Sequence, residues 1–472
     1  MIRYAVTPDH VSRRTALQLG TCGFGYLAFA GLAAQEAAAR DAEVTKPNPL
    51  AAKPPHFAAK AKRVIFLCMT GGPSHVDTFD HKPRLTADDG KAPPSGTGRG
   101  AFAGKLLGSP WKFKKHGKSG LWMSELFPEL GAHADEMCVL NGMHTNVPAH
   151  PQAFLQLHTG TSQFVRPSLG AWTLYGLGTE NQNLPGFVSV NPPTGNGGAQ
   201  NYGSAFLPAI YQGTRIGNEG RSVSSAKLSN IANPRLGPDA QRSQLDFVQA
   251  LNKERLERDQ VNPQVEGVIE SYELAFRMQR DVPKVMDLSG ETKETMALYG
   301  VGGTGTDDFG RQCLLARRFV EAGVRYVEVT HGNWDQHRNL RTDLARHTAA
   351  IDKPIAGLLA DLKRRGLLAD TLVVWSGEFG RTPFAQGTDG RDHNNKGFSA
   401  WLAGGGVKGG LTYGATDEHG FAAVTGRVHT HDFHATILHL LGLNHEKLTY
   451  RYAGRDFRLT DVAGNVVKDV VA

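Results

Sequence analysis

Apolar residues recur along the chain in short continuous runs, each of which ends in glycine or polar residues. The runs are "RVIFLCMTGGPSH" (63–75), "EMCVLNGM" (136–143), "GVRYVEVTHGN" (323–333), "TLVVWSGEFG" (371–380) and "SAWLAGGG" (399–406). A continuous apolar run without polar alternation is typical of a strand that is covered on both faces. The pattern therefore predicts a buried, mainly parallel sheet.

A helical pattern separates several of these runs. The clearest helix is predicted from Asp343 to Arg365, and Gly366 is well placed to end it. Its apolar side chains recur at helical spacing, and they are Leu344, Ile351, Ile355, Leu358, Leu359 and Leu362. Alternation of strand and helix predicts an α/β fold, a three-layer sandwich with a mainly parallel central sheet.

Two stretches break this alternation. Residues 95–125 are rich in Gly, Lys and Pro, and residues 191–300 begin with "NPPTGNGGAQNYGS" and continue as charged helical sequence. We interpret both as insertions that cap the site and help to choose the substrate. The alternative is a second structural lobe without ligand contact.

The amino terminus has the layout of an export signal. Arg13 and Arg14 follow Ser12 and precede a short apolar, glycine-rich stretch with small-residue sites after it. This pattern predicts a twin-arginine signal peptide over residues 1–40, a linker over 41–62 and a single domain over 63–465, in a periplasmic or secreted protein. The alternative is a chance arginine pair ahead of a short membrane anchor. We expect no integral membrane segment in the mature chain.

Composition narrows the classes of partner. With 40% hydrophobic and 21% charged residues among 472, the chain can bury a large core. The net charge of +7 comes from Lys and Arg that are scattered along the chain, so we expect no nucleic-acid partner. Cys68 and Cys138 lie in apolar surroundings and are expected to be small buried residues, without a disulfide framework or a thiolate metal site.

Acidic residues and histidines follow three of the predicted strands. Their groups are Ser74-His75-Val76-Asp77, Asp335-Gln336-His337, and Glu378 with Asp392-His393. Because the carboxyl ends of parallel strands meet at one edge of a sheet, these side chains can converge. Carboxylate oxygen and imidazole nitrogen bind divalent metals, so the pattern predicts a site for Zn, Mn or Ca. The alternative for each group alone is a loop hydrogen bond or a helix cap.

A further histidine-rich segment, "VHTHDFHATILHLLGL" (428–443), is interpreted differently. Asp432 is well placed to cap a helix whose apolar positions make it part of the core. A metal site here is the less favoured alternative.

Several motifs together resemble a known superfamily. The segment 325–462 resembles the alkaline phosphatase and sulfatase superfamily, whose members carry metal ligands on loops after the strands of an α/β sandwich. More closely, "GGPSHVDTFDHKP", "NWDQH", "LVVWSGEFGRTP", "GRDHN", "WLAGGGVKGGLTYGATDEHG" and "YAGRDFRLTD" resemble an exported bacterial sulfatase-like family whose function is not established, the domain of unknown function 1501. The resemblance implies an alkaline-phosphatase-like fold.

The resemblance also implies site residues. Asp335 and His337 would correspond to an Asp and His ligand pair, Glu378 to the Asp of an Asp-His dipeptide, and His393 to the last histidine ligand. His150 stands nine residues before Thr159-Gly160, at the position of the Ser, Thr or modified Cys nucleophile.

Two departures from the superfamily pattern leave roles open. The first strand ends in Thr70-Gly71-Gly72 where the enzymes have a metal-binding Asp, so either His75 or Asp77 substitutes or the site has fewer ligands. His150 is expected either as a metal ligand or as a nucleophile, and the alternative is a histidine that bonds to backbone at a helix start. Arg381 or Arg391 would stabilise negative charge on the substrate.

The leading hypothesis from sequence is an exported metal-dependent hydrolase of sulfate or phosphate esters. Its partner would be an anionic small-molecule or glycan ester. The second hypothesis is a non-catalytic binding or assembly protein on the same fold, which fold alone cannot exclude.

Overall fold

The computed structural model describes residues 48–94, 104–226, 235–259 and 262–472. Within them, Pro49–Ala472 belongs to one compact unit. The predicted signal peptide over residues 1–40, residues 41–47 of the predicted linker and residues 95–103 of the first predicted insertion lie outside the described residues.

The described residues contain seventeen strands. In chain order they are β1 (Arg63–Met69), β2 (Phe113–His116), β3 (Leu121–Ser124), β4 (Met137–His144), β5 (Phe187–Val190), β6 (Thr214–Ile216), β7 (Tyr326–His331), β8 (Thr371–Ser376), β9 (Gly380–Ala385), β10 (Arg391–Asn394), β11 (Phe398–Ala403), β12 (Leu411–Tyr413), β13 (Ala415–Thr416), β14 (Ala423–Thr425), β15 (Val428–His429), β16 (Tyr450–Tyr452) and β17 (Arg455–Phe457).

The same residues contain ten α-helices. They are α1 (His75–Thr78), α2 (Pro83–Ala87), α3 (His150–Thr159), α4 (Leu169–Leu177), α5 (Pro238–Asp259), α6 (Pro263–Met286), α7 (Lys293–Leu298), α8 (Asp307–Glu321), α9 (Leu340–Arg364) and α10 (Thr430–Leu440). Short 3₁₀ helices cover Leu130–Glu136, Gly198–Tyr202, Ala209–Tyr211, Val223–Ser225 and Lys468–Val470.

Nine strands form the central sheet, in the order β12-β4-β11-β8-β1-β7-β5-β6, and β15 also pairs with β4. β1 runs parallel to both β7 and β8, and β5 runs parallel to β7 and β6. β11 is antiparallel to its neighbours β4 and β8. The carboxyl ends of β1, β7 and β8 therefore lie side by side at one edge of the sheet.

Both faces of this sheet are covered. Every residue of β8 and of β11 is buried, and successive side chains of a strand point to opposite faces. Amphipathic helices supply the cover, since α8 packs against β7 and β1, while α4 packs against β5 and β7. The predicted three-layer α/β sandwich with a mainly parallel central sheet is confirmed.

The helix predicted over 343–365 is confirmed as α9, which begins three residues earlier, after Asn339. Its six predicted apolar side chains are all buried. Cys68 and Cys138, expected to be small buried residues, have no exposed surface.

The second predicted insertion, 191–300, contains the long helices α5 and α6. They pack against each other, and Arg242 joins them through hydrogen bonds of 2.9 Å to Glu273. The described part of the first insertion, 104–125, contains the hairpin of β2 and β3. Among the described residues, no helix is long and apolar enough to cross a membrane.

Candidate metal centre

The candidate site lies where β1, β7 and β8 end. Asp335 and His337 follow β7, and Glu378 follows β8. His393 lies in β10, which pairs with β9 in a two-stranded hairpin directly after β8. His150 is the first residue of α3, after Ala149 in an extended conformation. Loops from three strands and one helix start thus bring distant parts of the chain together.

Three imidazoles and one carboxylate converge at this edge. The Nε2 atoms of His150, His337 and His393 lie 3.2, 3.0 and 3.2 Å from Oδ1 of Asp335. The Nε2 atoms of His337 and His393 lie 2.9 Å from each other. One nitrogen or oxygen from each of the four residues lies within 4.8 Å of the others. We call these four residues the histidine cluster.

The other ring nitrogen of each imidazole has an acceptor of its own. These acceptors are Glu378 Oε1 for His150 (2.6 Å), the Pro148 carbonyl oxygen for His393 (2.7 Å) and Gln386 Oε1 for His337. An acceptor at Nδ1 holds a proton there, so that Nε2 of the neutral ring carries a lone pair. Metal-binding histidines are oriented in this way by carboxylate, carbonyl and amide oxygens.

The donor set fits a divalent metal ion. Three Nε2 lone pairs that face a carboxylate oxygen at about 3 Å repel one another unless positive charge lies among them. Nitrogen from imidazole and oxygen from carboxylate are ligands of zinc and other transition metals. The side chains of His150, His337 and His393 are 16%, 33% and 19% exposed, so the cluster opens to solvent.

The pKa values of His150 and Asp335 reflect the charges that meet at the cluster. Burial lowers the pKa of His150, but hydrogen bonds to Asp335 and Glu378 outweigh burial and raise the pKa to about 9. Burial favours a higher pKa for Asp335, but hydrogen bonds from His150 and His393 and the charge of Arg381 hold that pKa well below its usual range. The two carboxylates therefore favour a cation at the His150 ring, which is a proton when no metal is bound.

Glu378 lies behind His150, outside the group of four. Its carboxylate accepts hydrogen bonds from His150 and from the Gly71 backbone N–H, the latter at 3.0 and 3.2 Å. Gly71 has φ +113°, and a Cβ there would lie 2.7 Å from the Asp335 backbone nitrogen. Only glycine allows the loops after β1 and β7 to approach this closely. The predicted ligand Glu378 is therefore placed to orient His150.

Two more residues after β8 support the cluster. Phe379 is fully buried, and its ring lies 4.8 Å from the His150 ring and 4.6 Å from the His393 ring. Arg381 is also fully buried and donates to the Gly72 carbonyl oxygen at 2.9 Å and to Asp335 Oδ1. Because its guanidinium is surrounded by protein acceptors, Arg381 orients Asp335, which corrects its predicted role in stabilising a bound anion.

Asp77 and Arg391 do not join the cluster. Arg391 Nε lies 2.7 Å from Asp77 Oδ2, and both side chains have no exposed surface. Ser74 also donates to Asp77 at 2.6 Å. The expectations of Asp77 as a metal ligand and Arg391 as an anion-binding residue are corrected, because each charge is neutralised by the other inside the protein.

His75 is likewise placed elsewhere. It is 1% exposed, and its Nε2 lies 2.7 Å from the Gly420 carbonyl oxygen. Burial lowers its pKa, so the ring is neutral. The predicted catalytic or ligand role of His75 is corrected, since its ring packs beneath the loop that contains Gly420.

Two acceptors of the cluster were not predicted from sequence. Pro148 contributes only a backbone carbonyl, which no side-chain pattern indicates. Gln386 follows β9 in the turn before β10, and its distance from His337 depends on the hairpin fold. The sequence gives one indication of Gln386: it is a polar residue in the "FAQGTDGRDH" segment, between the strand that contains Arg381 and the strand that contains His393.

Residues 61–471 match the family described as a protein of unknown function (DUF1501), so the chain belongs to this family. The resemblance to the family stated from the motifs is confirmed. A search of curated proteins gives no match.

A comparison with solved structures finds the PsFucS1 sulfatase from Pseudoalteromonas sp., with 13% identity, a TM-score of 0.36 and coverage of 82% of this chain and 68% of that one. A protein in the alkaline phosphatase superfamily from Vibrio parahaemolyticus has 10% identity, a TM-score of 0.36 and coverage of 84% and 70%. The alkaline phosphatase from the Antarctic bacterium TAB5 has 10% identity, a TM-score of 0.32 and coverage of 81% and 98%. These distant similarities assign no residue role or activity.

Proposed function

We propose that this protein is a metal-dependent hydrolase of sulfate or phosphate esters. The observation that carries the proposal is the convergence of three Nε2 atoms on Asp335 while each Nδ1 is bonded to an acceptor. This arrangement orients four ligand atoms toward one point at the solvent-open edge of the sheet. Ligands at the carboxyl ends of strands are typical of active sites in α/β proteins.

A divalent ion held by these residues supplies Lewis-acid polarisation of an ester oxygen and a lowered pKa for water. The chain itself holds the ligands in place: Glu378 orients His150, and Arg381 orients Asp335. Asp335 has 42% of its side chain exposed, so a substrate can approach the cluster from that side.

His150 is better suited to bind the metal than to attack the substrate. Its Nδ1 is bonded to Glu378, and its Nε2 faces Asp335 at 3.2 Å, so neither nitrogen points freely to solvent. A nucleophile needs a lone pair directed at the substrate. Water is therefore the proposed nucleophile, with His150 as a ligand.

The set of ligand atoms narrows the choice of metal ion. Calcium prefers six to eight oxygen ligands. Three imidazole nitrogens with one carboxylate suit a transition metal, so of Zn, Mn and Ca we propose Zn or Mn.

The test is metal analysis of the purified full chain, followed by hydrolysis of 4-nitrophenyl sulfate and 4-nitrophenyl phosphate. We expect about one equivalent of transition metal, loss of hydrolysis with a chelator, and recovery when Zn or Mn is restored. His393→Ala should lose both metal and hydrolysis. The matched control is His439→Ala, whose ring packs against Phe57 away from the cluster. Metal-free protein, or hydrolysis that the chelator does not change, would contradict the proposal and favour the non-catalytic binding protein.

We also propose export by the twin-arginine pathway, which rests on Arg13 and Arg14 ahead of the short apolar stretch. Changing both to Lys should retain the protein in the cytoplasm of the producing bacterium. Fractionation that finds this double variant exported as efficiently as the wild type would overturn the proposal.

A further inference from the structure

A second cavity lies beside the carboxyl end of α3, the helix that begins at His150. Its volume is about 340 Å³. Four parts of the chain line it: Asn146 before α3, the end of α3 with the segment that follows, the start of α10 at His431, and residues of the segment 455–461. Its most informative lining residues are Phe164, Arg166, Arg455, Phe457, Arg458 and Asp461.

Positive charge exceeds negative charge in this cavity. Three arginines line it, and Asp461 is the acidic residue among the lining side chains. Asp461 is shared, since Arg455 bonds to its carboxylate and Arg458 bonds to its backbone oxygen. Arg166 has no carboxylate within ion-pair distance among the described residues. Arg458 also lies 3.7 Å from Glu446, so Asp461 and Glu446 compensate the charges of Arg455 and Arg458. Arg166 is the arginine of the three whose charge a bound anion would compensate.

Aromatic packing holds Arg166 in this arrangement. Its guanidinium carbon lies 4.1 Å from the centre of the Phe457 ring and 5.4 Å from the centre of the Phe164 ring. Burial and the nearby Arg455 lower the pKa of Arg166, while Asp461 opposes this change. The Phe164 side chain is 58% exposed. A fixed guanidinium beside an exposed aromatic ring suits a ligand that carries an anionic group on a partly apolar scaffold.

Shared lining residues and one hydrogen bond connect this cavity to the histidine cluster. A neighbouring depression of about 660 Å³ is lined by Pro148, Ser162 and Gln163 among others, and it shares Ser162 and Gln163 with the arginine-lined cavity. The Pro148 carbonyl oxygen lies 2.7 Å from His393 Nδ1. Because α3 has ten residues, its two ends are about 14 Å apart. One extended ligand can therefore reach both sites.

We propose that the arginine-lined cavity binds a second anionic group (a sulfate, phosphate or carboxylate) of the same substrate whose ester reacts at the histidine cluster. This inference rests on the proposed function. The substrate is accordingly a molecule with at least two anionic groups separated by roughly the length of α3.

The test compares two disaccharides of the same scaffold, one with a single sulfate and one with two, by calorimetric titration of the full chain. We expect the wild type to bind the disulfated sugar at least about tenfold more tightly, as a charge-assisted hydrogen bond requires. Arg166→Gln should remove most of that preference and leave the affinity for the monosulfated sugar unchanged. Arg166→Lys keeps the charge and should retain part of the preference.

The matched control is Arg215→Gln, which removes one positive charge from an exposed side chain of the edge strand β6 and should keep the full preference. Disaccharides with two phosphates or two carboxylates show which anion the cavity selects. A wild type without preference, or an Arg166→Gln variant that keeps it while folded by circular dichroism, would overturn the inference.

Metal analysis of the same samples separates the two proposals. If the protein holds metal but shows no Arg166-dependent preference, the inference about the cavity is contradicted and the proposed hydrolase is not. An Arg166-dependent preference in protein that never holds metal supports the cavity and contradicts the hydrolase.

Discussion

Two regions of the molecule are rich in histidine, and they differ in where the ring nitrogens point. In the histidine cluster, three Nε2 atoms share one target, Oδ1 of Asp335. In the segment that begins α10, each Nε2 has a separate acceptor. These pairs are His429 with Asn146 Oδ1 (2.8 Å), His431 with the Gly160 carbonyl oxygen (2.6 Å) and His434 with the Leu157 carbonyl oxygen (2.7 Å).

The electrostatic surroundings differ in the same sense. Burial lowers the pKa of His429 to about 4 and that of His434 to about 3, so both rings are neutral. In the cluster, Asp335 and Glu378 outweigh burial and raise the pKa of His150 to about 9. The number of histidines therefore does not make a metal site. Convergence of lone pairs beside a carboxylate is what distinguishes the candidate metal centre from the histidines of α10.

The largest expected effect tests whether Asp77 lies outside the histidine cluster. Asp77→Asn leaves the buried Arg391 without its partner, so the free energy of unfolding should fall by about 3–5 kcal/mol in urea titrations. Metal affinity of the folded variant should stay at the wild-type value, because Asp77 contacts no residue of the cluster. The control Asp343→Asn breaks the exposed pair with Arg346 and should cost at most about 1 kcal/mol. Lost metal at full stability would make Asp77 a ligand after all.

Removal of one ligand is the next largest change. His337→Ala should lower metal affinity by at least about 100-fold, since even residues that only orient a ligand contribute about 10–100-fold. His434→Ala, made in the other histidine-rich region, should keep wild-type metal affinity and lose stability, because it leaves the Leu157 carbonyl without its donor. Metal titration of both variants checks this. Equal losses of affinity would erase the distinction between the two regions.

Much of the fold could be predicted because buried parallel strands appear as uninterrupted apolar runs. β1, β7 and β8 lie within such runs, and the antiparallel strand β11 overlaps the run 399–406 from its second residue. Asp432 was expected to cap an apolar helix from the position before it. The helix begins earlier, at Thr430, and Asp432 is its third residue, where it accepts from the His429 N–H at 2.9 Å in a capping box. Local patterns determine both features, so no tertiary information was needed.

The site could be predicted only in part, because side-chain direction depends on tertiary structure. In a regular strand, Arg391 and His393 would share a face. The register of β10 against β9 shifts between them, so that Arg391 is fully buried and His393 reaches the cluster. His75 and Asp77 follow a strand end as the ligands do, but α1 turns both into the interior.

An intermediate effect is expected for Glu378→Gln. The amide keeps the shape and can still accept from His150, but it removes the charge that favours a cation at the ring, so metal affinity should fall by about 10–100-fold. Glu219→Gln is the matched control. Glu219 bonds to Thr70 Oγ1 at the same edge of the sheet without a bond to a cluster imidazole. Titration with Zn should show no change for this control. An unchanged affinity for Glu378→Gln would mean that His150 does not depend on Glu378.

The smallest expected effect is on the pH dependence of stability. It tests whether His434, unlike His150, is neutral in the folded protein. In the folded protein, burial lowers the pKa of His434 to about 3 although the hydrogen bond to the Leu157 carbonyl raises it, and the neighbouring His431 and His158 also lower it. The unfolded chain binds a proton below about pH 6.5, whereas the folded protein does not, so stability falls as the pH decreases. Between pH 7.5 and 5.5 this group should cost about 1 kcal/mol. In urea unfolding at both pH values, the free energy of unfolding of His434→Gln should fall by about 1 kcal/mol less between pH 7.5 and 5.5 than that of the wild type. Because both proteins keep the histidine cluster, proton competition with a bound metal cancels in the difference. Identical pH dependence would mean that His434 is protonated in the folded state, and the contrast with His150 would then fail.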